Sequence, residues 1–303
     1  MLNFFKKKIK VVTHNGSFHA DEVLGCTALS LWADKNNLKL KILRSRDPVI
    51  IEQADIVLDV GMEYDPEKKR FDHHQKEGAG VRDNQVPYAS FGLVWRHYGE
   101  EICESKEVAN LVEEKLVLPI DARDNGVNIS ATTNLGIVEY GFGNALHSFN
   151  MTWLEDEIQN DKQFFEDLGF AKMVLEREIM GAKAKIEGRR LTREAVIDQG
   201  TPEVLILDKY FNWQEVVSQF KNIKFVIYPH RNEKDWCVET GRDSLTDYNS
   251  NRAHLPEVWW GLRDTDLKEV SGLPDAIFCA RGGWFGVAGS KEGALQMAKS
   301  SLT

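Results

Sequence analysis

An apolar run at residues 9–13 breaks without a spacer into the polar turn His14-Asn15-Gly16-Ser17-Phe18-His19-Ala20-Asp21, and residues 22–33 follow with helical apolar spacing. A short buried strand that feeds a helix in this way is a βα unit. Residues 38–43 and 55–60 are two further strand-like runs. Strands alternating with helices imply an α/β fold with a mostly parallel sheet, right-handed crossovers and flanking helices. In such a sheet the turn after the first strand and Asp59, which closes Ile56-Val57-Leu58, can reach the same edge. The carboxyl ends of strands are where open α/β sheets build their sites.

His14, His19 and Asp21 fall within eight residues, and Asp72-His73-His74, Asp121 and Asp124 each lie beside an apolar run. We read the run before Asp121 as ending like a strand. Burying His and Asp together costs roughly 2–7 kcal/mol per unpaired polar group unless something coordinates or hydrogen-bonds them. Imidazoles with carboxylates suit Mn²⁺, Fe²⁺, Zn²⁺ or, less well, Mg²⁺, and the lack of nearby thiolates argues against structural zinc. Six or more ligands exceed the needs of one catalytic ion, so two ions about 3.5–4 Å apart, joined by a bridging carboxylate, are expected. Such a pair lowers the pKa of a shared water to give a bridging hydroxide near neutral pH and stabilises phosphoryl charge, so hydrolysis of a phosphoester is implied. His73 and His74, adjacent on an extended segment, point to opposite sides and have different parts. Asp72 is expected to orient a histidine rather than ligate.

The length of 303 residues favours two domains. Residues 89–98, 108–118 and 160–188 read as helices, 78–87 as a mobile loop and 189–202 as an interdomain connection. Beyond it, residues 204–207, 225–228, 236–238 and 276–279 are strand-like and a helix closes the chain at 291–300. The expected division is therefore a catalytic domain at 1–190 and a smaller C-terminal α/β domain at 191–303. A net charge of −9 argues against a nonspecific duplex-binding surface. Cys26, Cys103, Cys237 and Cys279 form no C-x-x-C pair and read as reduced thiols of a cytoplasmic protein. No run approaches the ~20 apolar residues of a membrane span, and residues 1–10 lack a signal-peptide core, the lysines there reading as a solvated lead-in.

Taken together, residues 14–21, 57–61, Arg70-Phe71-Asp72-His73-His74-Gln75, Asp121-Ala122-Arg123-Asp124-Asn125-Gly126, Arg44-Ser45-Arg46-Asp47-Pro48 and Trp260-Gly261-Leu262-Arg263-Asp264 resemble the melanocyte-proliferating-gene exonuclease family over nearly the whole chain. More distantly, Asp-His-His is similar to the DHH phosphoesterases. The resemblance implies a DHH-phosphoesterase-like fold, with His14, Asp21, Asp59, His73 and Asp124 as metal ligands, Asp59 bridging, and His74 at the scissile phosphate. His19 stands one position later than the aspartate of the usual DHH motif and joins as a further candidate ligand. Asp124 is favoured over Asp121 because Asn125-Gly126 follows it. The implied activity is that of a 3′-5′ exonuclease on single-stranded RNA or short oligonucleotides, with two ions, Mn²⁺ foremost. Arg44 and Arg46 read as substrate-phosphate contacts or as salt-bridge partners, and Gly282-Gly283 as a tight turn or a backbone cradle. Arg263 and Arg281 add candidate contacts from the C-terminal domain. Alternatives are a small-molecule phosphodiesterase or pyrophosphatase, an amide hydrolase, and a metal-binding regulatory protein without turnover. The oligomeric state is open, a homodimer included.

Overall fold

The computed structural model describes residues 6–129, 139–156, 159–231 and 234–302; the first five residues of the lysine-rich lead-in lie outside them. The chain divides into two compact units, residues 1–182 and 183–303.

In the first unit, β1 (Lys8–Thr13) is flanked by β2 (Lys39–Arg44) on one side and β3 (Ile56–Leu58) on the other, both parallel to it. Two short strands complete the sheet, β4 (Tyr64–Asp65) and β5 (Arg70–Phe71), in the order β2-β1-β3-β5-β4, with only β4 antiparallel to its neighbour. The chain leaves β1 for β2 through α1 (Ala20–Lys35) and reaches β3, on the other side of β1, through α2 (Pro48–Glu52). Connections therefore part in opposite directions beyond the carboxyl ends of β1 and β3, which opens a crevice there. α1 packs on α3 (Ser90–Cys103), and Leu24, Leu29, Leu58, Phe91 and Leu93 are fully buried. Each such side chain contributes roughly 1.5–3 kcal/mol.

The helix expected over 108–118 is present and runs on to Asp124, so the run before Asp121 does not end as a strand. α4 (Lys106–Val112) passes through a π turn at Glu113–Val117 into α5 (Leu118–Asp124). Pro119 has no N–H and its ring crowds the carbonyl four residues back, so it fits where the helical ladder is already widened. Further along are α6 (Phe142–His147) and α7 (Asn160–Asp198), whose 39 residues span about 58 Å. α7 runs through most of the stretch read as a connection, and the two units part within it, ahead of the expected boundary at 190. It stops where Gly200 takes a left-handed conformation (φ +67°) and Pro202 follows.

The second unit comprises β6 (Val204–Ile206), α8 (Gln214–Val217), β7 (Phe225–Pro229), β8 (Trp236–Thr240), α9 (Asp264–Ser271), β9 (Ala276–Cys279), β10 (Phe285–Ala288) and α10 (Lys291–Lys299). Its sheet runs β6-β7-β8-β10-β9, parallel only between β6 and β7. Ile227, Val238, Leu255 and Met297 fill one core, and Val196, Leu205, Trp213 and Val226 the other. β10, Phe-Gly-Val-Ala, is the strand sequence reading passed over: it is short, and glycine weakens the signal. The fold is mixed α/β, with two five-stranded sheets and flanking helices. No helix among the described residues is long and apolar enough to cross a membrane.

Candidate metal centre

Three strand ends deliver the central groups. His14 follows β1, and its Nδ1 lies 3.2 Å from the Asn15 carbonyl oxygen. That leaves Nε2 facing Glu22 Oε1 at 2.9 Å and Asp59 Oδ2 at 3.3 Å. Asp59 follows β3 in a left-handed conformation (φ +55°) that aspartate tolerates better than most residues. The Ser90 hydroxyl donates to its Oδ1 at 3.0 Å. His73 follows β5; its Nε2 lies 3.2 Å from Asp124 Oδ2, 3.4 Å from Asp59 Oδ1 and 4.0 Å from Asp21 Oδ2. Asp59 thus presents one oxygen to His14 and the other to His73.

Helix ends supply the rest. Asp21, in the first turn of α1, is buried and accepts the backbone N–H groups of Ser90 (2.9 Å) and Phe91 (2.7 Å). The start of α3 therefore directs N–H groups without helical partners at a carboxylate. Glu22, which sequence reading missed, accepts the backbone N–H of His19 at 2.9 Å while its other oxygen faces His14. An acidic residue in a helix's first turn is too common to mark a site, so no sequence signal distinguished it. His19, half-exposed at the helix start, lies with His14 and Glu22 in one group of potential donors.

Asp124, at the end of α5, reaches His73, whereas Asp121 does not. Asp121 is fully buried and accepts from the Gly92 N–H at 3.1 Å and from Arg82 Nη2 at 2.7 Å. A Cβ on Gly92 would land on that carboxylate. Arg82 also pairs with Glu113 at 2.7 Å and lies over the Tyr88 ring. The segment read as a mobile loop is tied down, since Val81 bridges Pro87 and Arg82 anchors it to α5 and the π turn.

Asp21, Glu22, Asp59, Asp72 and Asp124 crowd their negative charge into this crevice. Burial, and then the Asp59 and Asp124 charges, hold the Asp21 carboxyl well above its ordinary range. Burial opposes charge on His14, but the Asp59 and Glu22 carboxylates outweigh it and push the imidazole up to about 10. Burial likewise opposes charge on His73, and Asp124 and Asp59 push it up to about 11. Protons on the imidazoles thus balance charge that a cation would balance equally well. Two buried atoms within this group, His73 Nε2 and Glu22 Oε1, have no hydrogen-bond partner among the described residues despite their close neighbours. Donors brought together without hydrogen-bond geometry fit coordination. Imidazole nitrogens and carboxylate oxygens, without thiols, suit a hard to borderline divalent ion.

A cavity of about 940 Å³ opens on these groups, lined among others by His14, Asp59, His73, His74, Asp124 and Arg46. Asp72 holds His74 against its wall through a 2.7 Å contact to Nδ1, and that partner lifts the imidazole pKa. Arg44 is not on the wall: its side chain is 1% exposed, pairs with Asp161 at 2.9 Å and stacks over Phe164, so it is a salt-bridge partner. Gly282 and Gly283, both with positive φ, make the tight β9–β10 turn, in which Gly283 N–H donates to Ala280 at 2.9 Å. Arg263 pairs with its neighbour Asp264, and Arg281 is exposed. These four residues belong to the second unit.

The MYG1 exonuclease family model, described as an uncharacterised protein family (UPF0160), matches residues 10–302. A MYG1 protein of Dictyostelium discoideum is 31% identical over 97% of this chain and 96% of its own. The MYG1 exonuclease of Homo sapiens is 30% identical over 97% of this chain and 85% of its own. A crystal structure of RecJ in complex with Mn²⁺, from Thermus thermophilus, aligns at 13% identity and a TM-score of 0.28, and this chain covers only 52% of it, too slight a likeness to carry an argument. The matches run through the strand ends that carry His14, Asp59 and His73, and the chain belongs to the MYG1 exonuclease family.

Proposed function

We propose that the chain is a hydrolytic nuclease that cleaves single-stranded RNA or short oligonucleotides in the 3′-5′ direction through two divalent ions, Mn²⁺ foremost. One observation carries the reading: His14 and His73 face opposite oxygens of the buried Asp59. One half-site then consists of His14 and Asp59 with Glu22 or His19 beside them, the other of Asp21, Asp59, His73 and Asp124. Two ions held there would supply an activated water and neutralise phosphoryl charge. The chain's own groups do the rest. Asp72 accepts from the Met62 and His74 backbone N–H groups and fixes His74 Nδ1, so the opposite ring nitrogen is presented to the cavity. A protonated His74 donates there to a phosphoryl oxygen, and Arg46 adds positive charge on the same wall. A chain of net charge −9 grips a strand locally, through the ions and such cations. The four buried cysteine thiols suit a reducing cytoplasm.

The test is elemental analysis of reconstituted full-length protein beside hydrolysis of bis-p-nitrophenyl phosphate, end-labelled RNA, DNA, dinucleotides and pyrophosphate. About two ions per chain, and turnover abolished by chelation and restored by Mn²⁺, are expected. A single tight ion would overturn the dinuclear mechanism, and bound ions without turnover would make this a binding protein.

A further inference from the structure

His19, Arg123 and Asp124 line two cavities at once: the 940 Å³ space and a pocket of about 190 Å³ completed by Asp21, Asn144 and His147 among others. The metal donors therefore form a partition. His14, Asp59 and His74 face the larger space, and Asp21 faces the smaller. The segment walling the smaller pocket is pinned to the turn before α1, since Asn150 accepts from the Phe18 N–H at 2.8 Å and donates to the Phe18 carbonyl at 2.6 Å.

A phosphodiester has two ester arms. With its phosphate on the partition, one arm must enter each space. The larger space has room for several nucleotide units. The smaller is close to the roughly 150 Å³ that holds one benzene ring, enough for a sugar or a base and too little for a strand. Building on the nuclease reading, we propose that the smaller pocket is the subsite for the terminal nucleotide unit. Arg123 contacts the phosphate, and Asn144 and His147 hydrogen-bond the sugar or base. Arg123 is placed for this by lining both cavities beside Asp124 with a side chain 34% exposed, and it would exchange its 3.7 Å ion pair with Glu139 for the phosphate. Hydrolysis forms a P–O bond to the oxygen of water, breaks the ester P–O bond to one arm and returns a proton to that arm's oxygen. The partition makes this cut fall one unit from an end.

The test is size selectivity in full-length, Mn²⁺-reconstituted protein. Gly143 lines the small pocket, and a Cβ there would meet only Ala20 Cβ, at 4.0 Å, so a side chain can start there and Gly143→Leu is the variant to fill the space. We expect kcat/KM for a short RNA to fall about 10²-fold more than for methyl p-nitrophenyl phosphate, whose small arm is one methyl group. His147→Ala, at an exposed position, keeps the test open should the leucine variant fail to fold, and is expected to raise KM for the RNA at unchanged metal content. Equal losses on both substrates, or none, would overturn the subsite. So would cleavage of circular RNA as fast as linear RNA, with the phosphodiesterase reading left standing. A wild-type protein that hydrolyses neither substrate overturns both.

Discussion

Asp72 Oδ1 lies 2.7 Å from His74 Nδ1, two residues along the chain, and the same carboxylate accepts the backbone N–H groups of Met62 and His74. The pair is therefore locked from behind while the imidazole, with a 54% exposed side chain, keeps its other edge toward the cavity. His73, its neighbour, does not point to the opposite side as the sequence led us to expect: the two ring centroids lie 4.3 Å apart and both imidazoles reach Asp59 Oδ1, at 3.4 and 3.5 Å, while His73 Nε2 also faces Asp124 and Asp21. Neighbours in a regular strand would be opposed, but β5 ends at Phe71, before these two histidines, and both rings gather on Asp59.

Their different further partners, Asp124 for His73 and Asp72 for His74, separate two substitutions. His73→Ala is expected to lower metal occupancy, because it removes the nitrogen three carboxylates surround. His74→Ala is expected to keep the ions and slow turnover by about 10²-fold, the loss of a transition-state contact. Metal analysis beside single-turnover rates checks both, and equal metal loss in the two variants would refute the division.

Asp72→Asn probes the support behind His74. An amide keeps the shape but can present an N–H to Nδ1 where a carboxylate presents a lone pair, so the ring loses its orientation. A loss of about 10–100-fold in kcat at unchanged metal content is expected. Because Asp72 raises the His74 pKa, the proton on His74 is lost at lower pH in the variant, and the alkaline limb of the rate profile moves down. A profile identical to the wild type would exclude this role for Asp72.

Much of this centre was legible because it lies where apolar runs end. His14 after β1, Asp59 after β3 and Asp72-His73-His74 after β5 stand out against their strands. Asp21 stood out beside His14 and His19, and Asp124 gained its place over Asp121 from the family resemblance. Glu22 did not stand out because an acidic residue in a helix's first turn is common, and Ser90 and Arg82 because each acts across distance: Ser90 meets Asp59 from 31 residues away, and Arg82 meets Asp121 from 39. Asp121 shows the cost of reading locally, for its apolar lead-in is a helix with a π turn, and the carboxylate turns toward Arg82. Arg44 makes the same point, because only tertiary packing shows its guanidinium closed between Phe18 and Phe164.

Arg82 and Asp121 yield a stability prediction. Burial pushes the Asp121 carboxyl up to about 7 even with Arg82 and backbone N–H groups opposing it, so its charged form leans chiefly on that guanidinium. Arg82→Met strands a fully buried charge and is expected to cost about 3–5 kcal/mol in urea unfolding. Pairing it with Asp121→Leu should recover part of the loss, since the stranded charge is gone. A double variant less stable than Arg82→Met would show that the ion pair is not the source of the cost.

Asp167 on α7 predicts a pH dependence that is independent of metal. The residue is fully buried, and neither carboxylate oxygen has a hydrogen-bond partner among the described residues. Burial, with the Glu22 charge behind it, raises its pKa from 3.8 to about 7. In the unfolded chain the group ionises near pH 4, whereas in the folded chain it stays protonated until about pH 7. Its contribution to stability is therefore full below pH 4, declines as pH rises through this window and is lost above it. Asp167→Asn, which keeps the shape of the neutral acid and cannot ionise, removes the decline. Its advantage over the parent should widen by on the order of 2 kcal/mol between pH 5 and pH 8. Denaturant unfolding at the two pH values, with metal chelated throughout, measures it, and a constant difference would mean that Asp167 ionises in the folded chain as readily as in the unfolded one.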